Sequence, residues 1–248
     1  MKQPLSNHPS PITHHAVAAN RQARLAALRI AVLASGRGSN LQALIDARDA
    51  GVLPVEFVLV ASDKAHAVAL RRAEAAGIAT LALDPKAFAT RAAYDAELFA
   101  RIAAQAPDLI VLAGFMRIID PAALAPWHGR ILNIHPSLLP KYPGLHTHRR
   151  ALDAGDATHG ATVHYVTAEL DGGPPIAQAV IGIVEGDTPD TLAERLLADE
   201  HRLLAATVAL IAKGRIALDG SRVLFDGAAL AAPLRLDADL PAGAEREM

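Results

Sequence analysis

Short apolar runs alternate along the first half of the chain with segments whose apolar residues recur at helical spacing. Ile30–Ala34 reads as an apolar strand, and Leu41, Leu44 and Ile45 then predict a helix that stops near Gly51. Val55–Ala61 predicts a second strand, and Val68–Ala76 a helix with Gly77 just past its end. Thr80–Leu83 is short and extended. Thr90 can cap a helix running to about Ala106, with Tyr94, Leu98 and Ile102 on one stripe. Leu109–Ala113 and Ile131–His135 are continuous apolar strands of the kind buried in parallel sheets.

The second half changes character. His148–Ala154 predicts a short helix ending at Gly155. Ala161–Thr167 and Ile176–Val184 look like an antiparallel pair joined through Asp171-Gly172-Gly173-Pro174-Pro175. Thr188 caps a long helix with Pro189 at its first position and Gly214 after its last turn. Arg215–Leu218 and Arg222–Phe225, on either side of Asp219-Gly220-Ser221, predict a hairpin. From Pro233 onward the chain is polar and poorly patterned.

This order predicts an α/β fold: one domain with a twisted, mostly parallel, Rossmann-like sheet, helices on both faces and a C-terminal antiparallel portion. The expected boundaries are an N-terminal extension over 1–28, flexible or partly helical, the domain over 29–227, and a tail over 228–248. Pro4, Pro9 and Pro11 oppose a continuous helix at the start, while Ala18 to Leu28 can be helical.

Composition narrows the classes. The 248 residues are 52% hydrophobic and 20% charged, ample for one core. A net charge of −2 carries no electrostatic footprint for nucleic acid. The absence of cysteine removes disulfides, thiolate nucleophiles and cysteine metal sites. No apolar run approaches membrane-spanning length. Residues 1–29 hold Lys2, Arg21, Arg24 and Arg29 and no acid, as a transit peptide can. The plainer reading is an alanine-rich extension on a cytoplasmic protein.

Candidate chemistry starts at the end of the Ile131–His135 strand. Asn133 and His135 are two residues apart and so share a face. An amide donor beside an imidazole suits a developing oxyanion and a proton to be moved; a polar strand end with local hydrogen bonds would look the same. Ser35-Gly36-Arg37-Gly38-Ser39-Asn40 follows the first strand and opens a helix, which makes an anion site or a tight turn. Leu41 stands where a dinucleotide fingerprint needs its third glycine, and no Gly-Lys-Ser/Thr follows. Asp171 can return to the sheet edge and stabilise a charged His135, or be an ordinary Asp-Gly turn. Glu200 falls on the apolar stripe of Leu192, Leu196, Leu203 and Thr207. A carboxylate there contacts a ligand or escapes to solvent at the stripe's edge. Met116 and Arg117, just beyond the Leu109–Ala113 strand, either pack a helix or line a pocket. His146-x-His148 has no third ligand at a persuasive spacing, so no metal is expected.

Taken together, Ser35–Leu41, Leu112–Ile119, Asn133–His148, His159–Gly173 and Glu200-His201 resemble the glycinamide ribonucleotide formyltransferases, folate-dependent enzymes of purine synthesis. Asn-Ile-His-Pro-Ser-Leu-Leu-Pro with Leu-Asp-Gly-Gly downstream marks the wider formyltetrahydrofolate group, and Lys141-Tyr142-Pro143-Gly144-Leu145-His146 narrows it. The resemblance implies formyl transfer from 10-formyltetrahydrofolate to the amine of phosphoribosylglycinamide, without a metal. It implies Asn133, His135 and Asp171 as catalytic residues. Gly38, Ser39, Asn40 and Glu200 are implied to bind the ribonucleotide, and Arg91, Met116, Arg117, Ile118, Ile119 and Asn133 the folate. The implied partners are small molecules, with no nucleic acid and no membrane, for a monomer or homodimer. His164 falls near the implied site without an assigned role. Leu197 stands where the family often has a polar or basic residue, Leu204-Ala205 replaces a common Tyr-Pro, and the N-terminal extension lies outside the family core.

Rival readings fit less well. A formyl transferase acting on tRNA needs an additional C-terminal domain. A formyltetrahydrofolate deformylase needs an N-terminal regulatory domain and no phosphate cradle. A non-catalytic nucleotide-binding module has no reason to join Asn133, His135 and Asp171.

Overall fold

The computed structural model describes residues 27–240. The expected N-terminal extension, and with it the helix expected from Ala18, falls outside the described residues but for its last two positions. The elements in chain order are β1 (Leu28–Leu33), α1 (Ser39–Asp49), β2 (Val55–Ser62), α2 (Val68–Ala75), β3 (Thr80–Ala82), α3 (Arg91–Ala103), β4 (Leu109–Leu112), α4 (Pro121–Leu124), β5 (Ile131–His135), α5 (Thr147–Asp153), β6 (Thr158–Tyr165), β7 (Pro175–Gly182), α6 (Pro189–Ala212), β8 (Ile216–Asp219), β9 (Arg222–Phe225), β10 (Ala228–Ala229) and β11 (Leu234–Arg235).

The main sheet runs β11-β7-β6-β5-β4-β1-β2-β3. Strands β3, β2, β1, β4 and β5 are parallel, β6 and β7 each run antiparallel to the strand before, and β11 lies parallel to β7. Alternation along β1 divides the core. Ile30 and Val32 pack with Leu41 and Leu44 of α1, Leu70 of α2 and Leu196 and Leu203 of α6. Ala31 and Leu33 face Tyr94, Leu98 and Ile102 of α3 on the other side. Helices therefore cover both faces, as expected of an α/β sheet.

The chain leaves β1 toward β2 and re-enters the sheet at β4 on β1's other side. The loops after β1 and β4 thus part over the strands' carboxyl ends, where open sheets bind ligands. Two bonds hold those loops at a fixed spacing: Ser35 N–H donates to Gly114 O at 3.0 Å, and Met116 N–H to Ser35 Oγ at 3.0 Å.

Helix ends follow their caps. Thr90 Oγ1 accepts from Ala93 N at 3.1 Å, and Thr188 forms a capping box with Thr191. Helix α3 ends earlier than Ala106, because Ala106 takes a left-handed φ of 47° before Pro107.

At the C-terminus, β8, β9 and β10 form a separate three-stranded sheet. The polar segment beyond them is structured over its described residues, 233–240. Leu234, Leu236 and Leu240 are buried, and β11 pairs with Ala177 and Gln178 of β7. Three spaced leucines anchor a stretch in which Arg235, Asp237 and Asp239 mask the apolar pattern.

Candidate active site

Asn133 and His135 leave the same face of β5, as their spacing requires, and meet the carboxylate of Asp171. Asn133 Nδ2 lies 3.5 Å from Asp171 Oδ1, and His135 Nδ1 lies 3.5 Å from Asp171 Oδ2. Asp171 takes a left-handed φ of 51°, and its Oδ2 accepts from Gly144 N at 2.8 Å. The turn can close only through glycine at 173, because a Cβ there would sit 1.8 Å from Tyr165 O. At Gly172 a Cβ would meet only the flexible side chain of Glu169.

His164 completes the group. Register places it opposite Asn133 across the β5–β6 pair. Its Nδ1 donates to Tyr165 O at 2.9 Å, since a carbonyl can only accept. Burial pushes this histidine down, so the ring stays neutral and Nε2 accepts from Asn133 Nδ2 at 3.1 Å. The bond takes one Nδ2 hydrogen of Asn133 and leaves the other directed toward Asp171. Sequence reasoning gave His164 no role, because only the strand register identifies its partner.

On the other side of His135, Nε2 donates to Tyr142 O at 2.9 Å. Buried bonds fix the intervening loop. Thr162 Oγ1 donates to Ser137 O at 2.7 Å and accepts from Leu139 N at 3.1 Å, while Gln178 Nε2 donates to Leu139 O at 2.9 Å. Farther in, the buried His159 ring packs edge-on against His148, with centroids 4.9 Å apart. Burial pushes His159 down to about 4. His148 therefore belongs to an aromatic pair, while His146 is exposed at the start of α5. No group of three metal-binding side chains converges among the described residues.

The glycine loop leads into α1. Gly38, at φ 69°, is the N-cap, where a Cβ would meet Ala69 Cβ at 2.7 Å. No side chain caps this helix, so its first N–H groups remain free for an anion. Ser39 and Asn40 open the helix. Asn40 Nδ2 donates to Glu200 Oε2 at 3.2 Å, and Asn40 Oδ1, buried, has no partner. Glu200 thus turns from its apolar stripe toward the glycine loop rather than away to solvent. Burial pushes its carboxyl up to about 7, with the Asn40 bond opposing the shift. Leu197, one turn earlier on α6, is exposed.

A cavity adjoins the triad. Phe115, Ile118 and Ile119 line one side and the Val166–Asp171 loop another, with Asn133 and His164 among its walls. Arg117 also lines it, but its guanidinium lies 4.8 Å over the Tyr94 ring, which leaves mainly its backbone for a ligand. The far end of the loop after β4 is held by Asp95, fully buried, whose Oδ2 accepts from Asp120 N at 2.7 Å. Met116 is 69% exposed, and Arg91 is exposed at the start of α3; neither lines the cavity.

Residues 28–208 match the formyl transferase family. The chain is 50% identical over 200 residues to the phosphoribosylglycinamide formyltransferase of Escherichia coli, across 81% of this chain and 94% of that one. It is 40% identical over 190 residues to the human trifunctional purine biosynthetic protein adenosine-3, across 77% of this chain but 19% of that much longer one. The solved phosphoribosylglycinamide formyltransferase of Coxiella burnetii superposes with a TM-score of 0.81 at 45% identity, covering 84% of this chain and 98% of its own.

Proposed function

We infer the course of the reaction from one premise: this chain belongs to the formyl transferase family. It transfers the formyl group of 10-formyltetrahydrofolate to the amine of N1-(5-phosphoribosyl)glycinamide. The products are formylglycinamide ribonucleotide and tetrahydrofolate, in de novo purine biosynthesis.

The residue roles are our proposal. The amine attacks the formyl carbon, and the carbonyl oxygen becomes an oxyanion. Asn133 donates to that oxyanion from Nδ2, whose contact with Asp171 at 3.5 Å is long enough to yield to a better acceptor. His135 stabilises the oxyanion through Nδ1–H, the nitrogen that faces Asp171 Oδ2 at 3.5 Å. The attacking nitrogen loses a proton, the folate nitrogen gains one, and the bond between formyl carbon and folate nitrogen breaks. Asp171 and His135 relay that proton. The start of α1, with Gly38, Ser39 and Asn40, takes the phosphate, and Glu200 the ribonucleotide. Arg117, Ile118, Ile119 and Asn133 hold the folate in the cavity, with Met116 and Arg91 meeting it outside the cavity walls.

The observation that carries this reading is the meeting of Asn133, His135 and Asp171 beside the cavity, together with the uncapped α1 end that Asn40 joins to Glu200. No helix among the described residues is long and apolar enough to cross a membrane. We further propose a cytoplasmic monomer or homodimer acting without nucleic acid, which a net charge of −2 supports.

The test is a formyl-transfer assay that follows release of the deformylated folate by absorbance. Release that requires the ribonucleotide is the expected result. Release without it would make water the acceptor, and no release from folded protein would overturn the reading.

A further inference from the structure

We propose that Tyr142 is a positioning residue: anchored through its hydroxyl to Asp156, it holds its own carbonyl against His135 and so selects which ring nitrogen faces the reacting atoms. The inference rests on the reading of His135 as proton donor.

A carbonyl oxygen can only accept, so the His135 nitrogen that faces Tyr142 O at 2.9 Å carries hydrogen in the neutral and the charged ring alike. That leaves Nδ1, 3.5 Å from Asp171 Oδ2, as the nitrogen that gains and loses the proton. With the other tautomer, the ring would turn a lone pair on a lone pair at Tyr142 O, and the contact would repel. The carbonyl therefore acts as a tautomer filter.

Aiming it costs backbone strain. Tyr142 adopts a left-handed φ of 56°, which a residue with a bulky ring keeps only when its surroundings hold it there. Asp156 and Arg150 do so. The Tyr142 hydroxyl donates to Asp156 Oδ2 at 2.8 Å. The Asp156 carboxylate is itself held by Lys141 Nζ at 2.9 and 3.0 Å. Arg150 lies 5.1 Å from the ring centroid, and its Nη1 donates to Pro143 O at 2.6 Å. The hydroxyl bond is directional and joins the ring to the segment just before β6, so it fixes the rotation that the stacking alone leaves loose.

The test reads the His135 ring directly, by ¹⁵N NMR of the full chain labelled in histidine, alongside steady-state kinetics. In the wild type the neutral ring should show hydrogen on Nε2 alone. Tyr142→Phe should show both tautomers, with kcat about tenfold lower and both KM values within about twofold of wild type. Asp156→Ala should behave in the same way. Asp156→Asn, whose amide oxygen can still accept the hydroxyl, should keep the single tautomer and the wild-type kcat. An unchanged tautomer in Tyr142→Phe and Asp156→Ala would overturn the proposal whatever their activity. Mixed tautomers with full kcat would overturn it too, and would locate the failure in the role given to His135. Equal losses in Asp156→Asn and Asp156→Ala would reduce the contact to loop stability and overturn it as well.

Discussion

Asn133 and His164 face each other across the β5–β6 pair, with 3.1 Å between the amide nitrogen and Nε2. The bond determines which end of the amide looks into the site. Asn133→Ala removes an oxyanion donor and should lower kcat by about 10²–10³. His164→Ala leaves the donor in place but free to turn, and should cost about tenfold. Comparing kcat for the two variants checks the order; an equal or larger loss in His164→Ala would mean that the histidine does more than orient.

Asn40 and Glu200 join α1 to α6 and give the protein a pH dependence. The Glu200 carboxyl lies near 7 in the folded chain, against 4.5 ordinarily. Its contribution to stability is complete below 4.5 and is lost as pH rises toward 7. The wild type should therefore lose about 3 kcal/mol relative to Glu200→Gln between pH 4 and pH 8. Urea unfolding at the two pH values measures this, and parallel curves would contradict it.

His159 works in the opposite direction. Its folded value of about 4 lies below the ordinary 6.5, so its contribution is complete above 6.5 and is lost as pH falls toward 4. Between pH 7 and pH 5 the protein should lose about 2 kcal/mol through this residue. The loss should be absent in His159→Phe, read from urea midpoints.

Two adjacent glycines should respond differently. Gly173→Ala drives a Cβ into Tyr165 O and should cost about 2 kcal/mol, with loss of activity as Asp171 is displaced. Gly172→Ala meets only the movable Glu169 side chain and should cost less. Melting temperatures of the pair rank the two effects.

Much of this was legible in the chain. The apolar run ending in Asn-x-His became β5, and period two alone put both side chains on one face. Glu200 stood out because a carboxylate interrupted a leucine stripe, and its bond to Asn40 explains the interruption. What escaped reading depends on register and on backbone atoms. His164 finds Asn133 only once β5 and β6 are aligned, and the partner of His135 is the carbonyl of Tyr142, which no side-chain pattern encodes. The tail failed for another reason: Leu234, Leu236 and Leu240 bury themselves against elements far away in sequence, which short windows cannot see.

Strand β11 is two residues long and adds few hydrogen bonds, yet it bears on the behaviour of concentrated protein. Without it β7 would border solvent with open N–H and C=O groups, a template on which another molecule's strand could grow. Leu236 N–H occupies Gln178 O at 2.9 Å, and an ion pair between Asp237 and Arg202 of α6 ties the segment down. At the opposite margin β3 spans only three residues. The sheet thus offers little free edge at either end, and the chain's own β11 segment serves as its protection against aggregation.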